Sequence, residues 1–269
     1  MRGKKKVILV ILIVILVVSI GGMVYYLHSL NEAEKANERL KEIAAVSEEE
    51  STSEEPEAEE EVKEDGETSS ESKESKDFVS PIDFASLKQE NSDIYGWIRI
   101  DDTVIDYPIL QSGEDDPDYY ADYTVDHVQG YPGAIFTESD LNKEPFEDNV
   151  TVIYGHRMKN DTMFGSLDCW EDDGYRDAHS IINIYTEEHN YTYQIAFVQV
   201  YDDRSILSKY DCNTKDGYAG FLESLENVRS IPYWHSEDIK TSTDTPMIVL
   251  STCYGDERLL VGAVLTEKE

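Results

Sequence analysis

The chain has 269 residues, 40% of them hydrophobic, and its 23 Lys and Arg against 57 Asp and Glu give a formal net charge of −34 at pH 7. This length allows one or two domains, and so strong a negative charge argues against a nucleic-acid-binding protein. The three cysteines are an odd number, which leaves at least one thiol free unless chains pair. We therefore expect a hydrophobic core, and not disulfides, to stabilise the fold.

The N-terminus has the pattern of a membrane anchor. Residues 1–6 form a basic tip, and the 21 residues from 7 to 27 contain no charged side chain. At about 1.5 Å per residue this stretch spans roughly 30 Å, the thickness of a bilayer core. Because basic flanks stay in the cytoplasm, we predict a single-pass cell-membrane protein with a cytoplasmic N-terminus and an extracytoplasmic outer domain. A cleaved signal peptide is the alternative, but the apolar run is longer than a signal core and no small-residue cleavage site follows.

Residues 28–77 are predicted to form an acidic, disordered stalk. From residue 47 to residue 77 the chain holds 15 acidic residues, three lysines and almost no apolar side chains. Such a segment cannot bury enough surface to offset its ordering entropy, and self-repulsion extends it. Residues 31–46 are compatible with a helix that briefly continues the anchor. We expect the residues before about 77 to be dispensable for chemistry in solution.

Residues 78–269 have the composition of one folded domain with a sizeable core. Helical spacing of apolar residues predicts helices at 82–91 and 216–228. Strand-like runs occur at residues 95–100, 104–110, 133–137, 150–154, 180–185, 191–201, 247–252 and 259–265. Seven or eight short strands with few helices predict a mainly β domain, either a closed barrel or a sandwich.

Three residues with catalytic potential lie at the ends of predicted strands. Cys253 ends the run 247–252, His156 follows the run 150–154, and Arg258 precedes the run 259–265. A thiol, a base and a fixed cation at strand ends are the parts of a thiol acyl-transfer site. Each also has an ordinary explanation, since cysteines are often buried in cores, and a lone histidine or arginine often lies at the surface.

The sequence predicts neither a metal site nor a cofactor. The other five histidines lie in polar turns, beside the membrane segment or next to aromatic residues. None of them forms a helical zinc pair or a Cys/His ligand set, and the acidic stretch 114–118 lacks the calcium-loop pattern. Nothing in the sequence positions Cys169 against Cys212 for a disulfide.

Read in order, the motifs of the outer domain resemble those of the sortases, the membrane-anchored cysteine transpeptidases of Gram-positive surfaces, and most closely class B. The matching segments are NSDIYGWI at 91–98, IDYPI at 105–109, DYY at 118–120, GAIF at 133–136, VIYGHRM at 152–158 and LSTC at 250–253. The resemblance covers residues 82–265. It implies a closed sortase-type β-barrel of seven to eight strands with a few peripheral helices, preceded by one transmembrane helix.

By the same resemblance His156, Cys253 and Arg258 carry over as the catalytic trio. The family chemistry implies that Cys253 attacks a sorting signal at a Thr carbonyl, that Arg258 stabilises the oxyanion and that His156 protonates the leaving amine. The thioester is then resolved by an amino group. We further predict that four residues contact the substrate: Ser251, Thr252, Tyr120 and Tyr254.

The implied partners are secreted proteins bearing a C-terminal sorting signal, a peptidoglycan or pilin amine as acceptor, and the membrane through the N-terminal helix. Two other functions remain open. The same residues fit a cysteine endopeptidase that uses water as the acceptor, and the barrel could be a non-catalytic surface-binding module. Product analysis with and without an amine distinguishes a transpeptidase from an endopeptidase. Labelling of Cys253 by a substrate-like electrophile distinguishes an enzyme from a non-catalytic module.

Overall fold

A nine-stranded sheet dominates the structure, a computed structural model that describes residues 2–51, 78–113, 115–227, 231 and 233–269. The strands are β1 Ile94–Arg99, β2 Asp106–Gln111, β3 Phe136–Thr137, β4 Val150–Tyr154, β5 Ile181–Tyr185, β6 Asn190–Tyr201, β7 Tyr233–His235, β8 Met247–Tyr254 and β9 Glu257–Lys268. Their order is β5-β1-β2-β3-β4-β8-β9-β6-β7, and β5 also pairs with β6. That extra pairing closes eight strands into a barrel and leaves β7 outside it. The predicted closed barrel of seven to eight strands is confirmed.

Helices surround the barrel. They are α1 Arg2–Ser51, α2 Phe84–Glu90, α3 Tyr119–Asp122, α4 Asp173–Ala178, α5 Ile206–Lys209 and α6 Lys215–Glu226, with a 3₁₀ helix at Gly165–Glu171. Side chains of Asp83 and Thr214 accept backbone N–H bonds at the starts of α2 and α6, as favourable N-caps do. The two helices predicted in the outer domain are thus confirmed. Helices α3, α4 and α5 and the 3₁₀ helix were not predicted, because such short elements carry little periodic signal.

The hairpin of β8 and β9 shows how alternation divides residues between the two faces of the barrel wall. Ile248 and Leu250 face the interior, where they join apolar side chains from most other strands. Val249 faces outward and packs in the cluster that includes α6. Since strand side chains alternate with a period of two, Ser251 and Cys253 continue this outward row toward the end of β8.

Helix α1 extends well beyond the predicted anchor. It is long and apolar enough to cross a membrane by length and composition, but it continues to Ser51. The helix expected at residues 31–46 of the stalk is thus part of α1, which continues a few residues farther than that expectation. The remainder of the stalk, residues 52–77, lies outside the described residues.

Residues 29–45 of α1, here called the juxtamembrane segment, pack against the barrel. Ala36, Leu40 and Ala44 follow one another at a spacing of four and are buried. They share a core cluster with Phe84 and Leu87 of α2. That residues before about 77 are dispensable for chemistry in solution stays a prediction, and this packing argues against it, because the small apolar stripe of the segment covers the α2 face.

We expect Leu40→Ala to lower the free energy of unfolding by about 2–5 kcal/mol, the usual cost of truncating a buried leucine. Leu40 is fully buried in the full-length chain. Urea unfolding of the detergent-solubilised chain measures the effect, with Val79→Ala as a control because Val79 is 76% exposed. Equal midpoints for Leu40→Ala and the wild type would contradict docking of the juxtamembrane segment in solution.

Candidate active site

Two parallel strands bring His156 and Cys253 to one edge of the barrel. Strands β4 and β8 pair in parallel, with Tyr154 opposite Ser251. Each candidate residue lies two positions beyond that pair, so continuing the register places His156 alongside Cys253. Both residues line the groove that is described below.

Hydrogen bonds just beyond the strand ends hold this arrangement. The Gly155 amide donates to the Ser251 carbonyl with an N···O distance of 3.2 Å. The Thr252 hydroxyl donates to the Gly155 carbonyl at 2.7 Å. Thr252 is fully buried, so its side chain ties β8 to the segment that leads into His156.

The short hairpin places Arg258 directly opposite Cys253. The two residues are Cα partners in the β8–β9 ladder, and the turn between the strands contains Gly255 at a φ of 65°, a conformation that favours glycine. Opposed residues of an antiparallel pair share a face with Cβ atoms about 4.5–5.5 Å apart. Accordingly, Nη1 of Arg258 donates to Sγ of Cys253 at 3.4 Å. A thiolate at this position would lie beside a permanent cation.

The imidazole of His156 is half-buried and held on two sides. Its Nε2 lies 2.7 Å from the Ala121 carbonyl oxygen, and a carbonyl can only accept, so Nε2 carries a proton. Nδ1 is therefore the ring nitrogen that can exchange a proton with a substrate. The ring of Tyr131 lies against the imidazole, with 4.8 Å between ring centroids.

A groove of about 540 Å³ joins these residues. His156, Cys253 and Arg258 all line it, and it extends to Arg204 and to Glu138. The volume lies within the usual range for ligand sites. Six carboxylates also line the groove: Asp116, Asp118, Asp122, Glu138, Asp202 and Asp203.

Of the four residues predicted to contact substrate, only Ser251 lines the groove. Thr252 and Tyr120 are fully buried. The Tyr254 ring packs against the Arg157 guanidinium, whose Cζ atom lies 5.0 Å from the ring centroid. Thr252 and Tyr254 alternate with Ser251 and Cys253 along β8, so their side chains point to the other face. Substrate contact by the Thr252, Tyr120 and Tyr254 side chains therefore stays a prediction, and their positions outside the groove do not support it.

Tyr120 has a structural role in the segment that contacts His156. Its hydroxyl donates to Asp93 at 2.8 Å, and the Asn91 side-chain amide donates to that hydroxyl at 3.0 Å. Because Tyr120 precedes Ala121, these bonds fix the backbone whose carbonyl accepts from His156.

Glu138 is a groove residue that the sequence analysis missed. It follows β3 directly, so the signal that singled out His156 after β4, a polar residue at a strand end, applies to it as well. The Tyr154 hydroxyl donates to its carboxylate at 2.9 Å, and Ser205 lies 3.4 Å away. Burial raises the pKa of the Glu138 carboxyl to about 7, although the bond from Tyr154 lowers it, and the charge of Asp118 raises it further.

Replacing Glu138 by Gln should remove one part of the pH dependence of stability. Between its ordinary pKa of 4.5 and about 7 the folded chain holds a proton that the unfolded chain has released. The free energy of unfolding therefore falls as pH rises through this window, and a glutamine side chain lacks that loss. We expect the melting temperature of Glu138→Gln to rise relative to that of the wild type as the pH increases from about 5 to about 7.

Thermal unfolding across that pH range measures the difference between the two proteins. The matched control is Glu237→Gln. Because the Glu237 side chain is exposed, this replacement should leave the profile unchanged. Parallel profiles for Glu138→Gln and the wild type would contradict the raised pKa of Glu138.

The three thiols occupy different environments, and none is in a disulfide. Cys253 is exposed in the groove, whereas Cys212 is buried. Burial raises the pKa of Cys212 to about 12 and also raises the pKa of Cys169. Within the described ranges, no group of three or more His, Cys, Asp and Glu side chains could hold a metal ion.

Comparisons with known proteins bear on this site. Residues 98–266 match a family model described as a sortase domain. Sortase B of Listeria monocytogenes is 32% identical over 192 residues, covering 69% of this chain and 75% of that protein. Sortase B of Staphylococcus aureus is 29% identical over 173 residues, covering 63% of this chain and 67% of that protein. The crystal structure of B. anthracis sortase B in complex with AAEK2 superposes with a TM-score of 0.59 at 29% identity. The superposition covers 69% of this chain and 83% of that one. The family match includes His156, Cys253 and Arg258.

Proposed function

Because the chain belongs to the sortase family of cysteine transpeptidases, and within it to class B, we propose that it cleaves a C-terminal sorting signal after Thr and joins the protein to an amino group. The observation that carries this proposal is the contact between Nη1 of Arg258 and Sγ of Cys253. His156 on the neighbouring strand end supplies the proton-transfer group. The three residues line one groove.

In the first half-reaction the Cys253 thiolate attacks the Thr carbonyl carbon of the bound signal. The carbonyl oxygen becomes an oxyanion, and the guanidinium of Arg258 donates to it. His156 gives a proton to the leaving nitrogen as the C–N bond breaks. The products are a thioester on Cys253 and the released C-terminal peptide, which carries a neutral amine.

In the second half-reaction an amine enters the place that the released peptide has left. Its nitrogen attacks the thioester carbonyl while His156 takes up the proton that the amine loses. The C–S bond then breaks and regenerates the Cys253 thiolate. The acceptor is an amino group of peptidoglycan or of a pilin, and the result is an amide bond between the secreted protein and the cell surface.

The test uses the full-length chain in detergent with a peptide that carries an Asn-Pro-x-Thr core, incubated with and without an added amine. We expect mass spectrometry to find the acyl adduct on Cys253, and an amide product when amine is present. Hydrolysed peptide as the sole product, even at high amine concentration, would instead identify an endopeptidase. A Cys253 that neither acylates nor reacts with a substrate-like electrophile would identify a non-catalytic barrel.

The same proposal places the barrel outside the membrane, tethered by residues 7–27 of α1. The apolar part of α1 is exposed over its whole length, and the basic tip favours a cytoplasmic N-terminus. Protease added to intact protoplasts should therefore release the catalytic domain, whereas a cytoplasmic marker protein stays intact. Protection of the domain until the cells are lysed would reverse this orientation.

A further inference from the structure

A loop at residues 119–133, between β2 and β3, encloses one side of His156. Near its start the Ala121 carbonyl accepts the Nε2 hydrogen bond at 2.7 Å, and near its end the Tyr131 ring lies 4.8 Å from the imidazole, tilted by 52°. We call residues 119–133 the histidine loop. Its two ends meet at Gly133, where a Cβ atom would lie 2.7 Å from the Ala121 carbonyl oxygen. The loop can close around the imidazole because residue 133 is a glycine, with a φ of 67°.

Helix α1 holds the histidine loop from the membrane side. The Ser29 hydroxyl donates to the Tyr131 carbonyl at 2.9 Å, and the Tyr26 and Tyr131 ring centroids are 6.2 Å apart. About three helical turns farther along, Arg39 donates to Asp126 of the same loop at 2.7 Å. The loop is therefore attached to α1 at both its middle and its end.

The Tyr131 phenol lies close enough to Cys253 for the charge of the thiolate to affect its pKa. Burial raises the pKa of its phenol, and Tyr26 and Cys253 raise it further. The side chain therefore stays neutral where the thiol and imidazole exchange charge. Its contribution at that point is a fixed aromatic surface, and not a proton or an ion.

We propose that Tyr131 is a positioning residue for His156, and that the start of the juxtamembrane segment holds it in place through Ser29. The proposal rests on the proposed function, because it assigns Tyr131 a role in that same reaction. A continuous set of contacts runs from Ser29, two residues after the apolar stretch 7–27, through Tyr131 to the imidazole. The juxtamembrane segment thereby helps to complete the catalytic geometry of the barrel.

The size of the expected effect follows from geometry. Misplacing a catalytic group by about 1 Å can cost roughly 10² in rate. Without the Tyr131 ring the imidazole keeps its bond to Ala121, so we expect a partial displacement and about a tenfold fall in the acylation kcat. The Michaelis constant should stay near that of the wild type, because the ring contacts His156 and does not line the described groove.

Four variants of the full-length, detergent-solubilised chain test this idea. Tyr131→Ala removes the ring and should lower kcat, whereas Tyr131→Phe keeps the ring and the backbone carbonyl and should restore it. Ser29→Ala removes the donor to that carbonyl and should give part of the same loss, and Ser29→Thr should restore the hydroxyl and the rate. The pH profile of Cys253 alkylation by iodoacetamide should shift in Tyr131→Ala, because the imidazole is no longer held at its wild-type position.

The matched control is Tyr233→Ala, which removes a tyrosine ring stacked 4.6 Å from His235 on β7, away from the groove. It should leave kcat and the alkylation profile unchanged. A wild-type kcat and profile in Tyr131→Ala would overturn the proposal, as would a Tyr131→Phe enzyme as slow as Tyr131→Ala. Alkylation needs no peptide, so a wild-type chain that fails to acylate would count against the proposed function while the profile still decides the role of Tyr131.

Discussion

Cys253→Ala is expected to abolish thioester formation and transpeptidation, a loss on the order of 10⁶ when a protease nucleophile is removed. Cys253 is the thiol that lies in the groove, with the Arg258 guanidinium 3.4 Å from its sulfur. Alanine removes the nucleophile but leaves the strand, the cation and the imidazole in place. The variant should therefore keep its wild-type melting temperature and still bind the sorting peptide.

The other two cysteines provide the controls. Burial raises the pKa of both Cys169 and Cys212, so both thiols stay protonated at neutral pH, and neither lines the groove. Cys169→Ala should keep wild-type activity, and Cys212→Ala should keep activity at some cost in stability, because its side chain is buried. Peptide cleavage by a purified Cys253→Ala enzyme would refute the assignment of the nucleophile.

The barrel strands could be predicted from sequence because alternation and β-branched runs report directly on strands. The run 150–154 is strand β4 without any change of bounds. The sequence left barrel and sandwich open because closure depends on the pairing of β5 with β6 at the far side of the sheet. That pairing is a matter of twist and register, and neither is written in the pattern of any one strand.

The juxtamembrane segment illustrates a second limit, because its helix could be predicted from sequence but its packing against the barrel could not. The acidic residues of 47–77 dominate the average, whereas Ala36, Leu40 and Ala44 lie on one helix face just before them. Two of those three side chains are methyl groups, which contribute little to any hydrophobicity count. They matter because small residues let α1 lie close to α2, a property of the packing partner and not of the segment alone.

Within the site, strand-end residues were predictable and loop residues were not. His156, Cys253 and Arg258 stand out in the sequence because each adjoins an apolar run that fixes its place on the sheet, and all three line one groove. Alternation places the Thr252 side chain on the face opposite Cys253, so the strand geometry does not support its predicted substrate contact. Tyr131 had no such signal, because its contact with His156 depends on the path of the histidine loop and on α1.

Arg258→Lys is the second variant with a large expected effect, and it tests the geometry of the hairpin. In this chain Arg258 lies five positions after Cys253, and the ladder pairs the two residues directly across β8 and β9. A guanidinium presents parallel donors in a rigid fork, whereas a lysine is a point charge on a flexible stem. The lysine variant should fold normally but present its charge without two aligned donors.

We expect Arg258→Lys to lose most of its acylation rate, and Arg258→Ala to lose roughly 10²–10³, the usual effect of removing one oxyanion donor. Acylation of Cys253 by the Asn-Pro-x-Thr peptide can be followed by mass spectrometry on rapidly quenched samples. Arg157→Lys is the matched control: Arg157 donates to Asp168 at 3.0 Å and stacks on Tyr254, outside the groove. Because the fork geometry of Arg157 serves no reacting atom, its replacement should leave acylation unchanged. Wild-type acylation in both Arg258 variants would mean that backbone N–H groups alone hold the oxyanion and that Arg258 is an ordinary strand-end cation.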